Sequence, residues 1–271
     1  MQPRLPPELE RLIFIYALRD SIQVQLATHL FLVAKRVREW LLPLAFEVVH
    51  FGGNWTFPIT FTPHHFEAYG LYIHDLLVDF EKEPNGHDRL VRYLGLCPNL
   101  ANLAVWQLPR PPPDRLDYLL QLPKLTHLTI DVIGLLYLTS PIIVGNQGTL
   151  ISSQTHAPLF PHITHLNTIY VTRNILDSDD DIIALSRHFP NLTHVSFTNP
   201  SDRHSTALRL ALERWDRLEV LLLKFLWGHR GVEDPLKDQR VMLISMHNLD
   251  DWAVAALNIW ELADEQGRTA L

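Results

Sequence analysis

Three histidines, His127, His165 and His194, fill the same slot of a phrase that recurs down the chain. Imidazoles in register are the residues here whose type and spacing first invite chemistry. The phrase has the form L-x-x-L-x-V, and its third position reads Asp75, Asn102, His127, His165, His194 and Val220. If each copy is a strand and the strands pair in order, the three rings stand one per strand, about 4.8 Å apart. Zinc held by the three imidazoles, with Asp75 or water as a fourth ligand, would be the sharpest chemistry of such a row. A flat row on a sheet does not converge on a tetrahedral centre, however, and no carboxylate is placed to orient the rings from behind. The expectation is therefore no metal, and a polar column that contacts a partner.

The neighbouring slots extend that surface. Apolar positions of such strands face a core, so the residues between them project to the opposite, concave side. The fifth position reads Leu77, Ala104, Thr129, Asn167, Ser196 and Leu222, and the seventh Asp79, Trp106, Asp131, Ile169, Thr198 and Lys224. Trp and Asp are favoured recognition residues. The candidate partner-contact set is Asp75, Asp79, Asn102, Trp106, His127, Asp131, His165 and His194. Other chemistry fails on spacing. Asp177 to Asp181 lacks the Gly and trailing Glu of a calcium loop and reads as a helix-capping acidic turn. Cys97, before Pro98, reads as a small buried residue. No G-x-S-x-G, phosphate-binding loop, H-E-x-x-H or paired C-x-x-C occurs. No catalytic residue and no cofactor are expected.

The elements that must hold this row follow from the phrase itself. Its first aliphatic positions, Ile73, Leu100, Leu125, Ile163, Leu192 and Leu218, are separated by 27, 25, 38, 29 and 26 residues. Leucine-rich repeats have periods of roughly 20–29 residues. Strands are expected at 73–78, 100–105, 125–130, 163–168, 192–197 and 218–223, parallel and in chain order. Apolar helices should run between them, for example through Leu90, Val91 and Leu94, or Leu208, Ala211, Leu212 and Trp215. The interval of 38 marks an insertion of about ten residues, with weak helix signals over 134–158. A strand and a helix cannot bury both their faces alone, so the units must stack into an array suited to holding a partner.

The ends differ from the middle. Residues 5–46 carry helical spacing without the phrase: Leu9, Leu12, Ile13 and Tyr16 on one stripe, then Leu26, Leu30, Val33, Val37, Trp40 and Leu41 on a second helix that Pro43 should end. Val48, Val49 and Phe51 read as a first strand. Near the other end, Arg240 to Met246 reads as a strand and Asp250 to Asp264 as a closing helix. Trp252 and Trp260 on that helix are expected to cover the open edge of the Leu218 unit.

Composition sets bounds. With 47% hydrophobic and 20% charged residues the 271-residue chain is globular rather than disordered. A net charge of −7 gives no reason to expect nucleic acid. One cysteine excludes an internal disulfide and suits a reducing compartment. No basic-then-apolar leader opens the chain. The most apolar stretch, Val132 to Val144, is short and broken by Pro141, so no membrane span is expected. A cytoplasmic and/or nuclear location is expected.

Leu5-Pro6-Pro7-Glu8-Leu9, followed by Leu12-Ile13-Phe14, resembles the opening of an F-box, and Leu32 to Trp40 resembles its third helix, with V-x-K/R and a following Trp. Over nearly its full length the chain is similar to fungal F-box-like proteins with leucine-rich repeats, which end in a strand and helix bearing D-x-R and D-W motifs. Here those are Asp238-Gln239-Arg240 and Asp251-Trp252, with Trp260 beyond. The resemblance implies an α/β chain: an N-terminal F-box-like helical module (1–46), then a leucine-rich-repeat solenoid with a parallel curved sheet and a C-terminal helical cap (47–271). It implies a non-catalytic substrate receptor of an SCF-type (cullin–RING) ubiquitin ligase. Leu5, Pro6, Glu8, Leu9, Ile13, Val33, Lys35 and Trp40 would bind the S-phase-kinase-associated adaptor that joins it to the cullin, and the repeats would hold a protein substrate. The alternative is an interaction module whose F-box-like head is only a structural N-terminal cap, with Leu9, Ile13 and Val33 packed on the first repeat.

Overall fold

The computed structural model describes residues 5–19, 24–51, 63–79, 91–106, 122–131, 142–144, 150–152, 158, 160–169, 179–198, 200, 205–226, 237–246 and 259–260. The described chain is α/β. Three helices come first: α1 (Pro7–Arg19), α2 (Val24–Val33) and α3 (Lys35–Ala45). Pro7 opens α1 where a missing N–H costs nothing, and Glu8 and Glu10 lie in its first turn, where acids favour the helix dipole. The second helical stripe does not run unbroken. Ala34 is extended (φ −161°, ψ 152°), which places Val33 at the end of α2 and Val37 and Trp40 in α3. Nor does Pro43 end the helix. It sits inside α3, which continues to Ala45. So close to the terminus the proline removes only one backbone bond of the last turn. Val37 and Leu41 of α3 are fully buried, and the Arg36 guanidinium grips both carboxylate oxygens of Glu10 at 2.6 and 2.8 Å, tying α3 to α1.

A single sheet follows. Its strands are β1 (Val48–Phe51), β2 (Asp75–Asp79), β3 (Asn102–Trp106), β4 (His127–Asp131), β7 (His165–Ile169), β8 (His194–Thr198), β9 (Val220–Leu226) and β10 (Val241–Met246). All eight are parallel and pair in chain order. The insertion after β4 holds a separate antiparallel pair, β5 (Ile142–Val144) with β6 (Leu150–Ser152). The remaining helices named here are α4 (Pro63–Tyr69), α5 (Asp179–His188) and α6 (Ser205–Arg214). Among the described residues no helix is long and apolar enough to cross a membrane.

Every strand of the recurring phrase starts two residues later than the phrase. Its first aliphatic residue closes a turn instead: Leu100 N–H donates to Cys97 O at 3.1 Å, Leu125 to Leu122 O at 3.2 Å and Ile163 to Phe160 O at 3.4 Å. The proline of the phrase occupies the second place of each of these three turns, where its fixed φ fits the turn geometry. Next comes a double acceptor. Ala101 and Asn102 both donate to His74 O (2.8 and 3.0 Å), Thr126 and His127 to Ala101 O (2.9 and 3.0 Å), Thr164 and His165 to Thr126 O (2.9 and 3.1 Å), and Thr193 and His194 to Thr164 O (2.8 and 3.1 Å). The pattern begins at Glu47 O and ends at Thr193 O, crossing the insertion without a break.

The main core lies on one face of the sheet. Leu76, Leu103, Leu128, Leu166, Val195 and Leu221 form one buried row and Val78, Val105, Ile130, Phe197 and Leu223 the next. Thr168 is the polar exception in that second row, its hydroxyl donating to Ser196 O at 2.8 Å. The helical layer is stitched by aromatic stacks, Phe46 on Tyr69, Phe66 on Tyr93 and Phe160 on Phe189, at 4.2, 4.3 and 4.8 Å between centroids. Trp215 adds a bond from Nε1 to Phe189 O at 2.9 Å. Cys97 is buried as expected, its Sγ donating to Tyr93 O at 3.3 Å and its thiol pushed up to about 12 by burial.

Gly70 lies hard against the next unit. A Cβ there would meet Leu96 O at 2.2 Å, whereas one at Gly95 would meet nothing closer than Arg92 O at 3.5 Å. Gly70→Ala should cost about 1–3 kcal/mol through overpacking, with about 2–4 °C of melting temperature lost per kcal/mol. Gly95→Ala should leave the melt nearly unchanged. Equal melts for the two variants in calorimetry would show that the Leu96 carbonyl yields freely.

Candidate functional site

The third-position residues form one row across the sheet, as the spacing predicts. Register pairs Asp75 with Asn102, Asn102 with His127, His127 with His165, His165 with His194, and His194 with Val220. Each sits at the first position of its strand, just after the double-acceptor turn, so the backbone fixes the row before any side chain acts. At one end the Asn102 amide donates to Asp75 Oδ1, while Asn102 Oδ1 is buried with no partner among the described residues.

The three imidazoles stack face to face. His127 and His165 lie 3.9 Å apart between centroids with 19° between planes, and His165 and His194 lie 4.2 Å apart with 14° between planes. Each ring is pinned by its preceding residue: Nδ1 lies 2.8 Å from Thr126 Oγ1, Thr164 Oγ1 and Thr193 Oγ1 respectively. Those hydroxyls also lie 3.5, 3.4 and 3.2 Å from the double-acceptor carbonyls of the preceding unit. Stacked rings aim their nitrogens side by side rather than at a common centre, so the arrangement argues against a shared ion. No group of three or more His, Cys, Asp or Glu among the described residues could hold a metal. Burial depresses His165 to about 3, helped by its neighbours His127 and His194, and depresses His127 to about 4, again by burial first and His194 second. His127 and His165 are therefore neutral imidazoles at neutral pH.

The face around the row is not the open concave surface the sequence implied. Trp260 lies edge-on to both His165 and His194, at 5.4 and 5.5 Å with 65° and 75° between planes. Together with Ile259 it packs on Leu222 and Ile244, forming a small apolar cluster separate from the main core. Trp260 thus reaches across the sheet face, where the sequence placed it at the edge of the Leu218 unit; β10 occupies that edge. Trp252 lies outside the described residues. The fifth-position residues Leu77, Ala104, Thr129, Asn167, Ser196 and Leu222 are all buried.

Beneath this cover runs a polar ladder built from fifth-position residues and Lys224. Asn167 Nδ2 donates to Thr129 Oγ1 at 3.2 Å, and Asn167 Oδ1 accepts from Ser196 Oγ at 3.0 Å and from the ammonium of Lys224. Lys224 Nζ also donates to Thr168 O at 2.8 Å, and its enclosure pushes its pKa down to about 7. The available signal was the alignment itself, which put Thr, Asn and Ser in three consecutive copies of one slot. Asp79, Trp106 and Asp131 end their strands, with Asp79 opposite Trp106 and Asp131 opposite Ile169. Their side chains lie outside the described residues.

Of the head residues, Leu5, Leu9, Ile13 and Val33 are 57%, 48%, 53% and 58% exposed, and Pro6 and Glu8 are exposed too. Lys35 is exposed and pairs with Glu39 at 3.9 Å, whereas Trp40 is half-buried. Leu9, Ile13 and Val33 are therefore not part of the buried core. The D-x-R pair holds the last strand in place: Arg240 bonds the Asp238 carboxylate through Nε and Nη2 (3.0 and 2.8 Å) and reaches Leu212 O at the end of α6 at 3.3 Å. No protein-family model matches the chain, and no curated protein matches it.

The histidine stack dictates a pH dependence. An unfolded histidine titrates near 6.5, while folded His127 and His165 resist the proton down to about 4 and about 3. Between those limits the unfolded chain binds more protons, so stability rises with pH. The histidine contribution should be complete above about pH 7 and decline steadily as pH falls from about 6.5 toward 3. His127→Gln with His165→Gln should flatten that slope in melts across pH 3–7. An unaltered slope would mean the two rings are not neutralised by the fold. Lys224 acts in a separate window, because its lowered value makes stability fall as pH drops from about 10.5 toward 7.

Proposed function

We propose that the chain is a leucine-rich-repeat solenoid with an F-box-like head and works as a non-catalytic substrate receptor of an SCF-type ubiquitin ligase in the cytoplasm and/or nucleus. The head would bind the S-phase-kinase-associated adaptor, and through it the cullin, while the repeats hold a protein substrate. One observation carries this reading. Of the ten large apolar side chains exposed among the described residues, seven belong to the head: Leu5, Leu9, Leu12, Ile13 and Tyr16 of the α1 region and Leu32 and Val33 of α2. Spaced three and four apart, the α1 members share one helix face. An apolar face of that kind on an otherwise charged surface is a docking surface. α3 meets the main core instead through Leu42 and Ala45, which pack against it, while its Val37 and Leu41 are fully buried.

Leu5→Ala with Pro6→Ala should weaken adaptor binding at least about thirty-fold, the equivalent of losing about 2 kcal/mol from an interface anchor. Because both residues are exposed, the melting temperature should hardly move. The measurement is recovery of adaptor and cullin with the purified chain, alongside a melt. Full recovery from a destabilised variant would overturn the receptor reading and leave the head as a cap.

A further inference from the structure

The row of histidines already holds an aromatic ring, and the way it holds it says what else would fit. The three imidazoles repeat at the strand spacing, each held by its own threonine, so they form one ribbed surface rather than three independent groups. Trp260 sets its edge across two ribs at once, His165 and His194. Aromatic contacts of this edge-to-face kind add attraction beyond the area they bury. The ribs continue one step further, since His127 stacks on His165 just as His194 does, and His127 is only half-buried.

Trp260 is held outside the main core. Among the described residues its apolar partners are Leu222, Ile244 and Ile259, with Val220 and Met242 packed alongside, in a cluster separate from the main core. The surface under and beside them carries Thr129, Asn167, Ser196, Thr198 and Lys224, buried but polar. A face meant for permanent burial under an apolar helix is ordinarily apolar, because each enclosed polar group must find a partner. Here several find partners within the sheet itself, so that face does not rely on Trp260 for its hydrogen bonds. Small peripheral clusters open at lower free energy than the core they adjoin.

We propose that the His127–His165–His194 row is a seat for an aromatic side chain on a partner's peptide segment, with Trp260 occupying it from within the same chain until that partner replaces it. This rests on the receptor reading and narrows it: the substrate class is a protein presenting an exposed aromatic residue beside an aliphatic one, as Trp260 stands beside Ile259.

The probe is a fluorescein-labelled synthetic peptide with the sequence of residues 254–266, used beside its twin with alanine at the tryptophan position. Both are titrated against full-length wild-type chain and full-length Trp260→Ala chain and followed by fluorescence anisotropy. The tryptophan peptide should bind the Trp260→Ala chain saturably. Binding to wild type, where the seat is filled, should be at least about ten-fold weaker, or about 1.4 kcal/mol. The alanine twin should lose at least as much, as should Trp260→Ala chain that also carries His165→Ser and His194→Ser. Equal binding to wild type and Trp260→Ala, equal binding of the two peptides, or no binding to either chain would each overturn the proposal. So would loss of cooperative melting on Trp260→Ala, because the indole would then be core that no partner can replace. No adaptor is present in these titrations, so their failure leaves the receptor reading standing, and failure of adaptor recovery leaves the seat standing.

Discussion

One carbonyl oxygen per unit, accepting two successive N–H groups from the next, governs the rest of this molecule. From Glu47 O to Thr193 O the same bifurcated contact starts each new strand beside the last. It sets register to the residue, and in a sheet register decides everything about faces: a slip of one position would send the leucine rows outward and the histidines into the core. The apolar rows of strands β2 to β9, the stacked rings and the polar ladder all inherit their alignment from that contact. The turn closed by the phrase's first aliphatic residue, with proline in its second place in three units, presents the carbonyl at the right angle.

Much of this was legible in the residues, and the parts that were not have identifiable causes. The Leu-x-x-Leu-x-Val spacing gave the strands, their parallel order and the histidine register, because apolar period and turn chemistry point the same way. It placed strand starts two residues early, since an aliphatic side chain looks alike whether it ends a turn or begins a strand. The unbroken helix through Val33 and Val37 failed because helical spacing persists through a single extended residue such as Ala34. Pro43 was read as a stop when its position in the final turn makes it harmless. The exposed α1 stripe was visible as a stripe, but periodicity gives a face without saying what covers it.

The sheet's second face was the largest surprise, and it is a matter of long-range contact. Nothing in a local pattern says that Trp260 will return to His165 and His194, 95 and 66 residues earlier in the chain. Nor does it say that Lys224 will extend along the sheet to Asn167 and Thr168. Both contacts turn a face expected to be wet into one that is largely enclosed. Enclosure is what holds His127 and His165 neutral and draws Lys224 toward neutrality, so the electrostatics of the face follow from its cover rather than from its composition.

The pair β5 and β6 lies within the 38-residue interval between Leu125 and Ile163, yet Thr164 and His165 meet Thr126 O as regularly as any other unit meets its neighbour. The entropy of closing a loop grows only with the logarithm of its length. Lengthening an interval from about 26 to about 38 residues therefore costs about 0.3 kcal/mol. Growth of the chain is cheap wherever it leaves the two ends of a crossover in place. The connection between β4 and β7 is accordingly a natural point for grafting, where a foreign segment can be carried without disturbing the array on either side.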